Sequence, residues 1–320
     1  MYQKLKNLKS LKGSQKVLCN VSVKEELTKT AKPYLNMILF DEDTKISIKV
    51  WNNDDRYEEL SKIPQNSLAE AEVTFEGVNK GYDNYSLQTL TTLSTPSLID
   101  CVEIEPLKNE LREIIRVEFE NEDIKEIILN LFKNNDLKEK IFTSPLTEKS
   151  GYSFKGGLLA HIVRNCKLTI AICDVFDNWN YNKEDMNEKL NKDILLGACI
   201  LSDIGSAFCL EIIDDVVGKT FKGNLNESSF YTCKVLVDLL KESSMPESQK
   251  DYFEHVITSS KGKLIYGAIN TPRSKEANVF HYIERIDTLM GNFEFMKRIA
   301  FSDFSKIGEK QYCVVDFDEI

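Results

Sequence analysis

The chain has 320 residues, 42% of them hydrophobic and 29% charged, with only 14 Gly and 7 Pro. This composition excludes disorder, collagen and a small disulfide scaffold, and it supplies enough apolar mass for at least one full core. The net charge of −10 argues against a protein whose whole surface tracks a phosphate backbone.

Residues 1–10, MYQKLKNLKS, scatter Lys through the segment and lack the apolar run of a signal peptide. No stretch approaches the about 18 apolar residues of a membrane span. The eight Cys are dispersed and none forms C-x-x-C, so a reduced, cytoplasmic protein without a thiolate zinc site is expected. Residues 1–32 hold eight Lys against Glu25 and Glu26, whereas residues 101–320 carry a net charge of −9. Any nucleic-acid contact is therefore expected near the N-terminus, with a solvated face of a surface strand or arm as the alternative reading of the Lys run.

From Val17 to about Thr95, short runs alternate with period two: VLCNVSV, YLNMILF, ISIKVW, AEVTFEGV and YSLQTL. Asp41-Glu42-Asp43 and Asn52 to Asp55 punctuate them, and Lys80-Gly81-Tyr82-Asp83-Asn84 reads as a hairpin turn. Five strands in about 80 residues suggest a small closed barrel. After Pro96 and Pro106 the period becomes helical, and NEDIKEIILNLFKN opens with Asn121 as an N-cap. Further helical patterns run over 155–178, 187–206, 229–242, 246–260 and 273–299. The closing QYCVVDFDEI reads as a strand or a loose tail.

Two stretches of the first part, KPYLNMILFDEDTKISIKVWN from Lys32 and GYDNYSLQTL from Gly81, resemble the OB-fold module of the YhaM-type 3'-5' exoribonucleases. The likeness continues through FTSPLTEKSGYSFKGGLLAHIVRN, LLGACILSDIGSAF and FEHVITSSKGKLIYGAINTPRSKEANVFHYIERIDTLM, which are similar in the same order to the HD domain of that family. The resemblance implies an α+β multidomain chain, with an N-terminal five-stranded OB-fold β-barrel followed by an all-α HD-type helical domain. The implied boundaries are 1–100 for the barrel, 101–125 for a helical connector, 126–300 for the HD domain and 301–320 for a C-terminal tail.

An HD-type phosphodiesterase holds a divalent metal with an early His, an adjacent His-Asp pair and a distant Asp. Position by position, the resemblance puts His161 at the early His and Asp287 at the distant Asp, while the His-Asp pair falls on Ser202-Asp203 and lacks its His. The family's SHHG segment reads Ser259-Ser260-Lys261-Gly262, and the His of its GHI segment has no counterpart in Gly223 to Glu227. Only His161, His255 and His281 occur in the chain, the last two read as packing residues. The surviving metal set would be His161, Asp203 and Asp287, holding Mn²⁺ or Mg²⁺ if a metal is retained, with Asp203 and Lys261 as catalytic candidates and Lys261 touching phosphate as a point charge. The competing reading, preferred here, is a buried hydrogen-bonded cluster that ties helices together without a cofactor, because a metal beside an ammonium is repelled.

In the barrel, Tyr34, Trp51, Tyr82 and Tyr85 are candidates for base stacking, Tyr82 and Tyr85 being the two expected to be exposed, with Lys32, Lys49 and Lys80 near for phosphates. Core packing is the alternative for each aromatic. Gly156, Gly157 and Gly205 are expected to allow close helix approach, since no phosphate-loop pattern follows them. The expected function is a nucleic-acid-binding or regulatory homologue with weakened or lost phosphodiesterase chemistry. The alternatives are an active metal-dependent 3'-5' exoribonuclease on single-stranded RNA or DNA and a protein-interaction scaffold. Expected partners are single-stranded RNA or DNA through the OB module and no membrane, with a homo-oligomer or protein partner left open.

Overall fold

The computed structural model describes residues 2–41, 44–63, 67–79, 81–92, 101–179, 189–213, 216–299, 304–307 and 310–314. The chain divides into two compact units, Met1–Pro96 with Ile299–Ile320, and Ser97–Arg298.

The first unit is built on a five-stranded antiparallel sheet of β1 (Ser14–Leu27), β2 (Pro33–Phe40), β3 (Lys45–Trp51), β4 (Ser67–Asn79) and β5 (Tyr82–Thr92), with the short α1 (Tyr57–Ser61) between β3 and β4. The strand order is β3-β2-β1-β4-β5, and the two outer strands β3 and β5 also meet. Period-two patterning sets which side chains enter. In β3, Ile46, Ile48 and Val50 are buried while Lys45, Ser47, Lys49 and Trp51 point outward. Val17, Cys19, Val21 and Val23 of β1 and Leu35, Met37 and Leu39 of β2 fill the same core, and Leu5, Leu8 and Leu60 join it from short helical turns. The β4–β5 ladder shifts register at two places, one beside Gly77, whose φ of 105° is open to glycine and costly for other residues.

The second unit is helical: α2 (Ile104–Val117), α3 (Glu122–Leu131), α4 (Asn135–Thr143), α5 (Gly157–Asp177), α6 (Lys192–Leu201), α7 (Ser206–Cys209), α8 (Phe221–Leu225), α9 (Ser228–Glu242), α10 (Glu247–Thr258) and α11 (Lys275–Ile299). Asn121 caps α3 as expected, accepting from the Ile124 amide. α6 is apolar on every side and buried from Leu195 to Leu201, so it forms the axis against which α3, α5 and α10 pack. The expectation of an all-helical second part needs correction. β6 (Leu210–Ile213) and β7 (Val216–Lys219) form a hairpin, because the β-branched runs LEII and VVGK flank a pair of Asp. The closing residues carry a hairpin of β8 (Phe304–Ile307) and β9 (Lys310–Cys313), grouped with the first unit rather than standing as a separate tail. Among the described residues no helix is long and apolar enough to cross a membrane.

Burial decides thiol chemistry here. Cys19 is fully buried, and desolvation pushes its thiol up to about 12, while Cys173 is pushed up to about 11. Cys166, Cys199 and Cys209 are buried too, whereas Cys313 is exposed. A thiol reagent at neutral pH is expected to modify Cys313 rapidly and these five only on unfolding. Mass-resolved alkylation checks it, and early labelling of Cys19 or Cys199 would count against the packing.

Candidate functional site

The polar centre of the helical unit assembles from four segments. α5 offers His161, Arg164 and Asn165 at helical spacing, and the end of α6 supplies Ser202 and Asp203. The turn after α10 supplies Lys261, and α11 supplies Glu284 and Asp287, one turn apart on one face. His161, Asp203, Glu284 and Asp287 are each at most 5% exposed.

His161 lies between carboxylates on both sides of its ring. Its Nε2 is 3.2 Å from Glu284 Oε1 and 3.3 Å from Asp203 Oδ2, and its Nδ1 is 2.5 Å from Asp287 Oδ2. Asp287 also accepts from the Tyr152 hydroxyl at 2.5 Å and lies 3.5 Å from Arg164 Nε. Glu284 Oε1 accepts from Asn165 Nδ2 at 3.1 Å and from the Ser202 hydroxyl at 3.3 Å. Lys261 Nζ sits 2.7 Å from Asp203 Oδ1, 2.8 Å from Asp203 Oδ2 and 3.4 Å from Glu284 Oε2.

The Lys261 turn is itself braced. His281 Nδ1 donates to the Ser260 carbonyl at 2.7 Å, and its ring packs against Gly262, where a Cβ would collide with it and where φ is 76°. His281 is thus structural, as the sequence suggests. His255 accepts through Nε2 from the Arg273 amide at 3.0 Å, so it too is a packing residue.

Electrostatics follow from this geometry. Burial opposes charge on His161, yet the Glu284, Asp203 and Asp287 carboxylates outweigh it and hold the imidazole well above its ordinary pKa. Burial likewise opposes ionisation of Asp203, but the Lys261 ammonium and His161 hold its carboxyl below the usual range. Against the cost of burial, Asp203 and Glu284 raise the Lys261 pKa further. The cluster therefore packs three basic side chains, His161, Lys261 and Arg164, against three acidic ones, Asp203, Glu284 and Asp287.

His161, Asp203 and Glu284 have the makeup of a metal-binding group, with one ligand atom from each lying within 4.8 Å of the others. The expected trio of His161, Asp203 and Asp287 is revised: Asp287 faces Nδ1, and Glu284 takes the Nε2 side beside Asp203. A divalent cation does not fit this arrangement as it stands. Both carboxylates that would hold it already bind the Lys261 ammonium, and a dication 3–4 Å from that charge would be repelled in a buried setting. Lys261 points inward to these carboxylates, which differs from the phosphate contact considered from the sequence.

The cluster opens on one side to a small cleft of about 90 Å³, lined by Ser202, Asp203, Ser228, Thr232, Ser260 and Lys261 among others. Gly205 allows α9 to approach, since a Cβ there would collide with the Ser228 carbonyl, and Gly157 similarly presses on Tyr152. Both glycines serve close approach, as expected.

The candidates on the five-stranded sheet separate into groups. Tyr34 and Trp51 pair directly across β2 and β3, their rings 5.5 Å apart, and Lys49 Nζ lies 4.8 Å over the Tyr34 ring. Tyr34 donates its hydroxyl to Glu26 at 2.6 Å and is mostly covered, while Trp51 is 46% exposed. Lys32 is exposed at the start of β2, and Tyr82 is 79% exposed at the β4–β5 hairpin. Tyr85, expected to be exposed, is instead buried in the core of the first unit against Phe75. Lys80 lies outside the described residues.

No family model matches the chain. No solved structure matches it. Among curated proteins, it is 25% identical over 270 residues to the 3'-5' exoribonuclease YhaM of Bacillus subtilis (strain 168), covering 82% of this chain and 81% of that protein. It is 24% identical over 276 residues to the 3'-5' exoribonuclease YhaM of Bacillus velezensis (strain DSM 23117 / BGSC 10A6 / LMG 26770 / FZB42), again covering 82% of this chain and 81% of the relative. Matches of that length exceed either unit taken alone, so the similarity to the YhaM exoribonucleases runs through both units of the chain.

Proposed function

We propose that this chain binds single-stranded nucleic acid through its first unit and does not carry out metal-dependent phosphodiester hydrolysis. The relatives are named for acting on RNA from the 3' end, which supports a nucleic-acid role for this chain. The strand order, with its outer strands meeting, supports an OB-type barrel over residues 1–100. Residues 101–125 then act as connector and 126–300 as an HD-type domain with an altered centre.

The observation that carries the binding reading is the outward face of β2 and β3. Trp51 offers a half-exposed ring beside Tyr34, and Lys49 sets a cation over the same platform. An aromatic surface with adjacent ammonium groups suits unstacked bases and their phosphates, and this face of an OB barrel is where such ligands dock. Lys32 and Tyr82 extend the candidate surface at strand ends. The non-hydrolytic part of the reading follows from Lys261, which occupies the carboxylates a metal would require.

Fluorescence anisotropy with a labelled single-stranded RNA at low salt tests the binding. Trp51→Ala should weaken it about 5- to 150-fold, since a stacked base contributes about 1–3 kcal/mol. Lys49→Ala should weaken all sequences alike and lower the salt slope by about one. Binding that is absent or insensitive to salt would favour the scaffold alternative. The same RNA, 5'-labelled and incubated with Mn²⁺, should stay full-length. Shortening that Asp203→Ala abolishes would establish the active exoribonuclease instead.

A further inference from the structure

We infer that Lys261 is a built-in cation holding the seat of a divalent ion, and that its removal opens a metal site composed of His161 Nε2, Asp203 and Glu284. This deepens the non-hydrolytic part of the proposed function and does not depend on the nucleic-acid part, because its test reads metal and not RNA.

Three observations carry it. First, the ammonium bridges the two carboxylates, within 2.8 Å of both Asp203 oxygens and 3.4 Å from Glu284. A cation between two acidic groups from separate segments is the role a divalent ion plays in oxygen-rich sites. Second, the remaining donors already have the right makeup, one imidazole and two carboxylates drawn close together. Third, the far side of the imidazole is prepared. Nδ1 faces Asp287 Oδ2, and Asp287 is fixed by the Tyr152 hydroxyl and flanked by Arg164. A carboxylate at the non-ligating nitrogen holds an imidazole in the tautomer whose other nitrogen has a free lone pair, which is the outer-shell arrangement of metal-bound His.

The chain thus carries its own cation tethered by four methylenes. Such a cation cannot dissociate and cannot activate a water, so the cluster keeps its structural role at any metal concentration. The neighbouring cleft, bordered by Ser202 and Ser260, gives an ion a route in when the ammonium is absent.

The test is the midpoint of thermal unfolding of the full chain, with and without Mn²⁺, in the wild type and in Lys261→Ala. Manganese EPR on the same samples counts bound ions. The wild type should show no midpoint shift. Lys261→Ala should bind one Mn²⁺ and gain about 5–10 °C at a concentration about 100 times its dissociation constant. Lys261→Ala/Glu284→Gln keeps the wild-type net charge without a metal; it should fold in the absence of Mn²⁺ and bind the ion at least about tenfold more weakly than Lys261→Ala. A Lys261→Ala protein that folds only with Mn²⁺ would support the inference. An equal midpoint shift in the wild type would overturn it. So would a folded Lys261→Ala that ignores Mn²⁺, or failure of both variants to fold in its presence.

Discussion

Asp287→Ala is expected to destabilise the helical unit by about 3–5 kcal/mol, the cost of removing one partner from a buried ionic network. Asp287 is fully buried, and three groups depend on it: His161 Nδ1, the Tyr152 hydroxyl and the Arg164 guanidinium. Truncation leaves a buried phenol without its acceptor and a buried imidazole with charge facing a cavity. It also removes one link between α11 and α5 and one between α11 and the segment before α5, bonds that span 126 and 135 residues of sequence. Glu294→Ala is the matched control. It removes another Arg164 partner, but one that is 45% exposed, and should cost no more than about 0.5 kcal/mol. Urea unfolding followed by helical circular dichroism gives both values. Tyr152→Phe, combined with Asp287→Ala, should cost less than the sum of the single changes, because the phenol has already lost its acceptor. A loss below about 1 kcal/mol for Asp287→Ala, or strict additivity in the cycle, would show that the cluster does not hold these helices together.

Local pattern made much of the fold legible. The alternation in KISIKVW places Ile46, Ile48 and Val50 inside and Trp51 outside without further information. Asn121 was readable as a cap because its amide oxygen stands three residues before the Ile124 N–H it satisfies. Periodicity carried one step further accounts for two differences between sequence and structure. Tyr82 and Tyr85 are three residues apart in one strand, so they face opposite sides, and Tyr85 shares its side with Leu87 of the core. Glu284 stands one helical turn before Asp287, so a second carboxylate on that face could have been anticipated from FHYIERID. The seat of Lys261 was not legible in the same way. Its contact with Asp203 joins residues 58 apart through two turns, and nothing in local spacing sets whether an ammonium points to solvent or to a buried carboxylate. In the structure His161 lies in a buried hydrogen-bonded network, and Lys261 joins it through Asp203 and Glu284.

Gly205→Ala should destabilise the same unit by about 3 kcal/mol, at the upper end of what overpacking normally costs. Gly205 follows the Ser202-Asp203 turn, and its missing side chain lets the start of α9 lie against the backbone; a Cβ would collide with the Ser228 carbonyl, and Thr232 N would be 2.8 Å away. Neither obstacle is a flexible side-chain end, so the turn or α9 must move. Movement is costly because Gly205 N donates to the Thr232 hydroxyl at 3.0 Å, and that hydroxyl donates onward to the Ser202 carbonyl at 3.1 Å. Strain at Gly205 would therefore reach Asp203 and loosen its hold on Lys261. Gly218→Ala is the control, since a Cβ there meets nothing within 4 Å, and its effect should stay within about 0.5 kcal/mol. For a unit of this size the Gly205 change corresponds to a midpoint about 6–12 °C lower. The expected pairing is a large shift for Gly205→Ala with faster exchange of the Thr232 and Gly205 amides, and almost none for Gly218→Ala. Equal shifts at the two positions would mean that close approach of α9 is not what fixes Asp203.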